Sequence, residues 1–177
     1  QAKLESQKDE SVLITLAQML QLETVPERIE AYDISNIGNE NITAGMVVYE
    51  DGKPCKADYR LFKMRSVVGT TDDYASMQEA LRRRIQHLKE DTSGSFAKYP
   101  DLILIDGGKG HISAVKEVLA EEGIDLAVFG MVKDDFHKTR ALCTDTEEIN
   151  IARERSVFML IYKIQEEVHR FTVSRMM

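Results

Sequence analysis

The sequence has little of what marks a secreted, membrane or zinc-binding protein. It contains no tryptophan, three prolines and two cysteines in 177 residues. Cys55 and Cys143 are isolated and match no zinc or redox spacing, so we expect two reduced thiols. No apolar run approaches the ~20 residues of a membrane span, and no secretory signal is present. The sequence therefore predicts a cytoplasmic protein with no membrane partner.

The sequence also lacks an excess of basic residues. Its formal net charge is −7, which counts against a strongly basic DNA-binding surface. Any contact with nucleic acid must use local patches or domains outside this chain. The composition, 43% hydrophobic and 30% charged, is typical of a globular domain with one core. Because the chain starts with Gln1 rather than Met, we expect it to be a piece of a longer protein.

Apolar periodicity and turn residues divide the chain into a leading segment and one domain. Residues 1–10 are polar and predicted to be frayed or part of a linker, and a helix follows from Ser11 to before Pro26. Residues 1–26 are thus a linker and a leading helix, and residues 27–177 are the domain. The predicted elements of the domain are strands over 28–35, 43–50 and 55–64, a helix from about 72, a mobile polar loop over 91–98, a strand over 101–106, a helix from about 112 that ends at Gly123, a strand over 126–132, an irregular polar segment over 133–149 and a helix over about 151–173.

This order of elements predicts an α/β domain with an RNase H-like fold. Three strands form an antiparallel meander, two further strands continue it in parallel, and helices pack on this mixed five-stranded sheet. In that arrangement the first and fourth strands are neighbours. The order of elements alone does not establish a function.

The segment 100–110, PDLILIDGGKG, is the most informative about chemistry. The apolar run 102–105 predicts a buried strand, and Asp106 follows at the end where open α/β sheets place ligand sites. The glycines allow a tight turn and a close approach to a ligand, their N–H groups can form an anion nest, and Lys109 adds a positive charge. This combination suggests metal-assisted chemistry on a phosphate, and an ordinary strand-to-helix turn capped by Asp stays an alternative. The turn lacks the spacing of a P-loop, so no ATP site is predicted.

Two further side chains are candidates for the same site. Asp33 lies inside the predicted first strand, where a carboxylate is disfavoured and needs a metal, an arginine or a backbone donor as partner. If the first and fourth strands are neighbours, Asp33 and Asp106 point into one site, and a cation between them relieves their repulsion. His169 falls about 100° from the centre of the apolar stripe of its helix. It is therefore either a surface or packing histidine or a metal ligand.

Five motifs in order resemble the C-terminal nuclease domain of the UvrC family. They are YDIS (32–35), YEDGKP (49–54), DDYASM (72–77) followed by RRR (82–84), LILIDGGKG (102–110) and HRF (169–171). The resemblance implies an RNase H-like fold whose Asp-Asp-His triad, here Asp33, Asp106 and His169, binds Mg²⁺ or Mn²⁺. Asp73 corresponds to a further acid that influences catalysis in the family. Before the histidine, the family usually reads close to RDEA, where this chain has QEEV at 165–168.

The same resemblance implies a function and its partners. The function is that of a metal-dependent DNA endonuclease domain that makes the 5′ incision in nucleotide excision repair, within the response to DNA damage and the SOS response. The partners are damaged double-stranded DNA and a UvrB–DNA complex, the latter reached through parts of the full-length protein absent here. The location is the bacterial cytoplasm.

Basic residues outside the triad are candidates for phosphate contacts. A solvated helix face explains the three arginines at 82–84 equally well. The candidates are Lys109, Lys133, His137, Lys138, Arg140, Arg82 and Arg83, with Arg84 beside them. The alternative to an endonuclease is a non-catalytic RNase H-like module that binds nucleic acid or a protein, and it is favoured if the triad residues are scattered in the structure.

Overall fold

The computed structural model describes residues 2–37, 41–64 and 73–174. The predicted start of the second helix near residue 72 lies just outside these ranges. No helix among the described residues is long and apolar enough to cross a membrane. The elements are helices α1 (Ala2–Leu20), α2 (Asp73–Glu90), α3 (Lys109–Glu122) and α4 (Arg155–Ser174), and strands β1 (Arg28–Ile37), β2 (Asn41–Glu50), β3 (Lys53–Pro54), β4 (Arg60–Lys63), β5 (Leu102–Ile105), β6 (Val128–Lys133), β7 (Thr139–Cys143) and β8 (Glu148–Asn150).

The strands form one mixed sheet. Its order is β3-β2-β1-β5-β6-β7-β8, and β4 pairs with β2. β1 and β2 are antiparallel, β1, β5 and β6 are parallel, and β7 and β8 are antiparallel to their neighbours. The predicted pairing of the first and fourth strands is confirmed, because Tyr32 of β1 lies opposite Ile105 of β5. The carboxyl ends of β1, β5 and β6 therefore lie at one edge of the sheet.

Helices cover both faces of the sheet. One core, beneath α2 and α3, contains Tyr32 of β1 and Met46 of β2. The other core, beneath α1 and α4, contains their neighbours Ala31 and Val47. Since successive strand residues point to opposite faces, Asp33 shares the face of Ala31 and is directed towards α4.

The sheet has more strands than the sequence predicts. The expected five-stranded sheet is eight-stranded. The segment 133–149, expected to be irregular, contains β7 and β8, and the predicted third strand over 55–64 is divided into a short 3₁₀ turn and β4. Short edge strands gain their stability from pairing with a neighbouring strand, which the alternation of apolar residues does not reveal.

Helix α1 begins earlier than the sequence predicts. It starts at Ala2, where a frayed or linker segment was expected, and its residues are mostly good helix formers that extend the helix at little cost. Leu13, Leu16 and Leu20 are buried in the core that α4 also covers. The predicted boundary between residues 1–26 and the domain stays a prediction.

The ends of two further helices also differ from the sequence-based expectation. α3 begins at Lys109 rather than about 112, with Gly108 as its N-cap, and it ends at Gly123 as predicted, in the left-handed region with φ 65°. α4 begins at Arg155 rather than about 151. Helix ends are the positions that apolar periodicity locates least well, because they depend on capping.

The loop over 91–98, expected to be mobile, is fastened to the core by Arg84. The Arg84 side chain is 1% exposed and donates hydrogen bonds to the carboxylate of Glu30. It also donates to the carbonyl oxygens of Phe96 and Lys98, at 2.7 and 2.6 Å. The expectation that Arg84 contacts phosphate beside Arg82 is therefore wrong. A buried guanidinium paired with a buried carboxylate is not available to a ligand.

Candidate active site

Two neighbouring strands place two carboxylates at the same edge of the sheet. Asp33 lies within β1 and is 6% exposed. Asp106 follows β5 directly, and its N–H donates to the Tyr32 carbonyl oxygen at 2.9 Å, which extends the β1–β5 pairing by one step. Both side chains point to the α4 face, because they follow the alternation of Ala31 and Leu104. Regular strand pairing thus determines the position of both acids.

Helix α4 brings His169 to Asp33, with Nδ1 of His169 3.1 Å from Oδ2 of Asp33. This approach depends on Gly45, the residue opposite Asp33 in β2. A Cβ at Gly45 would overlap Oγ1 of Thr172, which lies in the same turn of α4 as His169. Glycine therefore allows α4 to pack close enough to the sheet for the imidazole to reach the carboxylate.

The three predicted triad residues converge. Ligand atoms of Asp33, Asp106 and His169 all lie within 4.8 Å of one another. The side chains of Asp33 and Asp106 are 9% and 2% exposed, whereas that of His169 is 55% exposed. The site is therefore buried on the side of the sheet and open to solvent on the side of the helix. The predicted position of His169 off the apolar stripe is confirmed, and the chemical roles of the three stay predictions.

The electrostatics of the site are those of two carboxylates with too little positive charge. Burial, followed by the charge and hydrogen bond of Asp106, raises the pKa of Asp33 to about 7, and His169 opposes this shift. Lys133 lies with Nζ 2.9 Å from Oδ1 of Asp106 and donates a hydrogen bond to Oδ2 at 3.1 Å. The buried Oδ1 accepts no well-aligned hydrogen bond among the described residues, and the Lys133 ammonium compensates its charge from 2.9 Å.

This donor set fits a divalent cation. Carboxylate oxygens are the preferred ligands of Mg²⁺, and an added imidazole suits Mn²⁺. A cation between Asp33 and Asp106 would offset the burial and the repulsion from Asp106 that together raise the pKa of Asp33. It would also give the buried Oδ1 of Asp106 a second positive charge beside that of Lys133. The residues present therefore fit Mg²⁺ or Mn²⁺.

A second group of possible ligands lies at the opposite edge of the sheet. Ligand atoms of Glu50, Cys55 and Asp58 also lie within 4.8 Å of one another. Here Arg28 already pairs with Glu50 at 3.1 Å and with Asp58 at 2.9 Å. Since this guanidinium compensates both carboxylates, the group has less need of a metal than the triad. Cys55 and Cys143 are both free thiols, as predicted.

Asp73 is not part of the group formed by the three triad residues. It is the exposed first residue of α2. The next residue, Tyr74, packs edge-on against the ring of His111 in α3, with ring centroids 4.6 Å apart. Burial lowers the pKa of His111, and the charges of Asp73 and Asp106 partly offset this effect. His111 is therefore within electrostatic reach of both carboxylates.

The GGKG turn differs from the sequence-based expectation. None of Gly107, Gly108 and Gly110 has a positive φ, so no left-handed turn is present. A Cβ at Gly107 would overlap His111, and one at Gly110 would overlap the hydroxyl of Tyr74. A Cβ at Gly108 would meet nothing within 4 Å. Two of the three glycines thus make room for rings of the protein, and Gly108 is the position open to a ligand.

The residues predicted to contact phosphate fall into two groups. Four are already paired with carboxylates of the protein: Lys133 with Asp106, Arg82 with Glu121, Arg83 with Glu79 and Arg140 with Glu148. Lys109, His137 and Lys138 are exposed and form no ion pair in the part of the chain that the structure describes. Phosphate contacts by any of these residues stay predictions, and the second group is the better suited.

Sequence reasoning missed the surroundings of two residues, Lys133 and His111. Lys133 was expected to contact phosphate, and the structure pairs it with Asp106. The available signal was its position at the end of the strand next to β5, since carboxyl ends of parallel strands meet at one edge. His111 directly follows GGKG, but only the packing of α2 against α3 brings it near Asp73.

Comparison with known proteins identifies the family. The family model described as UvrC RNAse H endonuclease domain matches residues 17–173. The chain belongs to this family. It is 44% identical over 177 residues to UvrABC system protein C of Clostridium acetobutylicum and 45% identical over 183 residues to the protein of the same name from Alkaliphilus oremlandii. The predicted UvrC resemblance and RNase H-like fold class are confirmed.

The chain corresponds to one part of these longer UvrC relatives. The alignments cover 94% and 97% of this chain, and only 28% and 29% of the two relatives. A distant neighbour among solved structures is Ciona intestinalis Endonuclease V in complex with an inosine-containing DNA. It has a TM-score of 0.43 and 14% identity, over 75% of this chain and 59% of that chain.

Proposed function

We propose that this chain is a divalent-metal-dependent DNA endonuclease domain that makes the 5′ incision in nucleotide excision repair. The supporting observation is the convergence of Asp33, Asp106 and His169 in a member of the UvrC RNAse H endonuclease domain family. Relatives named UvrABC system protein C extend well beyond this chain. Within such a protein, the domain acts on damaged double-stranded DNA together with UvrB, in the bacterial cytoplasm.

The three residues hold Mg²⁺ or Mn²⁺. When bound, the ion supplies an activated water and stabilises the charge on the phosphate oxygens. Asp33 and Asp106 provide the negative charge, and their mutual repulsion favours a cation between them. The contact of His169 with Asp33 orients that carboxylate. Lys133 holds Asp106 in place and, at 29% exposure, is also able to donate to a phosphate of the substrate.

The geometry favours cleavage over the alternative of a non-catalytic binding module. A non-catalytic module would be the better interpretation if the two carboxylates and the imidazole were scattered in the structure. Their ligand atoms instead lie within 4.8 Å of one another. A module that only binds nucleic acid gains nothing from two buried acids that the surrounding positive charge compensates only in part.

Titration of Mn²⁺ by calorimetry tests the metal site. Asp33→Ala or Asp106→Ala should abolish Mn²⁺ binding and leave the circular dichroism spectrum unchanged. Glu50→Gln is the matched control, because it removes a carboxylate from the second ligand group and should bind Mn²⁺ like the wild type. Wild-type Mn²⁺ affinity in either aspartate variant would refute the site.

An assay of the incision of damaged duplex DNA by the full-length protein tests the proposed reaction and the role of His169. His169→Ala should slow incision more than about tenfold and weaken Mn²⁺ binding, with little loss of stability because the side chain is 55% exposed. If this variant loses incision but binds Mn²⁺ normally, His169 acts on the phosphate. Normal incision by Asp33→Ala or Asp106→Ala would exclude the proposed reaction, and Mn²⁺ binding without any incision by the wild type would favour the binding module.

A further inference from the structure

The turn between β6 and β7 holds an aromatic ring out in solvent. Phe136 is 80% exposed, the most exposed large apolar side chain among the described residues. Four hydrogen bonds shape this turn. Asp134 Oδ1 accepts from the backbone N–H of Phe136 and of Lys138, Asp134 N–H donates to the Lys138 carbonyl oxygen, and His137 N–H donates to the Asp134 carbonyl oxygen. The ring is therefore presented by an ordered turn, and not by a loose loop.

The turn starts at the candidate active site. β6 runs parallel to β5 and ends at Lys133, whose Nζ lies 2.9 Å from Oδ1 of Asp106. Phe136 is three residues further along the chain, so its Cα lies at most about 10 Å from the Cα of Lys133 at about 3.3 Å per residue. A distance of about 10 Å corresponds to about three base steps of a DNA strand. Phe136 thus belongs to a turn that begins at a contact of the triad, and its Cα is within about three base steps of the Cα of Lys133.

The charges around the ring are mixed, and Lys138 is the exposed cation that can attract a nucleic-acid strand. Lys138 and His137 follow Phe136 directly and are exposed. Of the two acids in the turn, Asp134 is occupied by the hydrogen bonds of the turn, and Asp135 is exposed. A protein partner that bound this apolar side chain would have to cover these charges as well.

We infer that Phe136 stacks on an unpaired base of the DNA strand whose phosphate is cleaved at Asp33, Asp106 and His169. Aromatic side chains beside cationic groups are the usual platform for unpaired bases, since every base has a π-face. An exposed phenyl ring costs little to immobilise and loses its contact with water when a base covers it. The inference rests on the proposed nuclease function. It adds that the β6–β7 turn holds an unpaired base of the substrate.

Tryptophan fluorescence provides a direct test, because the chain has no tryptophan of its own. Phe136→Trp creates a single reporter at the turn, and Tyr99→Trp creates a matched one on an exposed side chain, 56% exposed, before the opposite end of β5. The probe is a single-stranded oligodeoxynucleotide of about 12 nucleotides, in EDTA to prevent cleavage. Emission at position 136 should be quenched in proportion to binding, and emission at position 99 should not change.

Affinity measurements separate stacking from electrostatic attraction. Phe136→Ala should weaken binding of the single strand by roughly 5- to 100-fold, and the slope of log affinity against log salt should stay unchanged, since no phosphate contact is lost. Phe136→Tyr should retain most of the affinity.

Three outcomes would overturn the inference. If emission of the Phe136→Trp variant is unquenched while the oligonucleotide is bound, no base stacks on the ring, and the ring is instead a contact for a protein. Equal quenching by a fully paired duplex would indicate insertion between base pairs. A reduced salt slope in Phe136→Ala would show that the turn was displaced. In each case the incision assay with the triad variants still decides the proposed function independently.

Discussion

At the residue scale, the buried carboxylate of Asp33 lowers the stability of the folded protein when no metal ion is bound. Burial and Asp106 raise its pKa from 3.8 to about 7. A group whose pKa is raised on folding contributes stability that is fully present below the unfolded pKa and is lost as the pH rises through the folded pKa. The metal-free protein should therefore become less stable between about pH 4 and pH 7 because of this one group.

Asp33→Asn should remove this loss of stability. In EDTA at pH 8, the variant should be more stable than the wild type by at least about 1 kcal/mol, or about 3 °C in Tm, and the two should converge near pH 4. Asp125→Asn, at an exposed carboxylate, is the control and should follow the wild type. Mn²⁺ should raise the Tm of the wild type and leave that of Asp33→Asn unchanged. Identical pH profiles for Asp33→Asn and the wild type would show that Asp33 is not the costly group.

At the element scale, the packing of α4 on β2 determines whether His169 can reach Asp33. Thr172 is fully buried, and its hydroxyl donates to the Val168 carbonyl oxygen at 2.6 Å, so it cannot easily move away from Gly45. A methyl group at position 45 must therefore push α4 from the sheet. His169 moves with the helix, because it lies in the same turn as Thr172.

Gly45→Ala should affect stability and the site together. We expect a loss of about 1–3 kcal/mol from overpacking and weaker Mn²⁺ binding, measured by thermal unfolding and calorimetry. Gly108→Ala is the control for steric overlap, since a Cβ there meets nothing within 4 Å, and it should cost only the difference between Gly and Ala at a helix N-cap. Thr172→Ala combined with Gly45→Ala should restore part of both properties, because it removes the overlapping hydroxyl. A destabilised Gly45→Ala with normal Mn²⁺ affinity would mean that α4 does not determine the geometry of the site.

At the scale of the whole molecule, the proposed function requires an acidic domain to bind a polyanion. The net charge is −7, and several of its cations are used within the protein, such as Arg82 with Glu121 and Arg140 with Glu148. Binding must then depend on a few exposed cations near the site, of which Lys109 and Lys138 are the clearest. We expect such binding to be weak, and its affinity to fall with salt by a slope of about 0.9 for each phosphate contact.

Lys138→Ala should weaken duplex binding and reduce the slope of log affinity against log salt by about 0.9, the value for one phosphate contact. Arg140→Ala is the matched comparison, and we expect a smaller effect because Arg140 is paired with Glu148 at 2.7 Å. Fluorescence anisotropy between about 50 and 200 mM salt measures both. Tight binding of this chain at high salt, or equal slopes for Lys138→Ala and the wild type, would contradict this account.

Much of the fold was predictable because the pattern of apolar residues that marks helices and strands is a local property of the sequence. The apolar run at 102–105 predicted β5, and the apolar stripes of α2 and α4 predicted both helices. β7 and β8 were not predicted, because their residues become strands only through pairing with β6. The start of α1 was also not predicted. A polar segment extends a helix at little cost when the apolar residues that follow it pack in the core.

The sequence by itself determined that Asp33 and Asp106 each need a partner, because an unpaired carboxylate at a buried strand position is costly. The tertiary structure decided which partners they have. His169 reaches Asp33 across 136 positions of the chain through the packing of α4 at Gly45, and Lys133 reaches Asp106 from the next parallel strand. Arg84, outwardly one of three similar arginines, was buried against Glu30 by the same packing. The sequence shows which groups are costly to bury. The partner that offsets this cost depends on which helices and strands pack together, and their packing is a property of the whole chain.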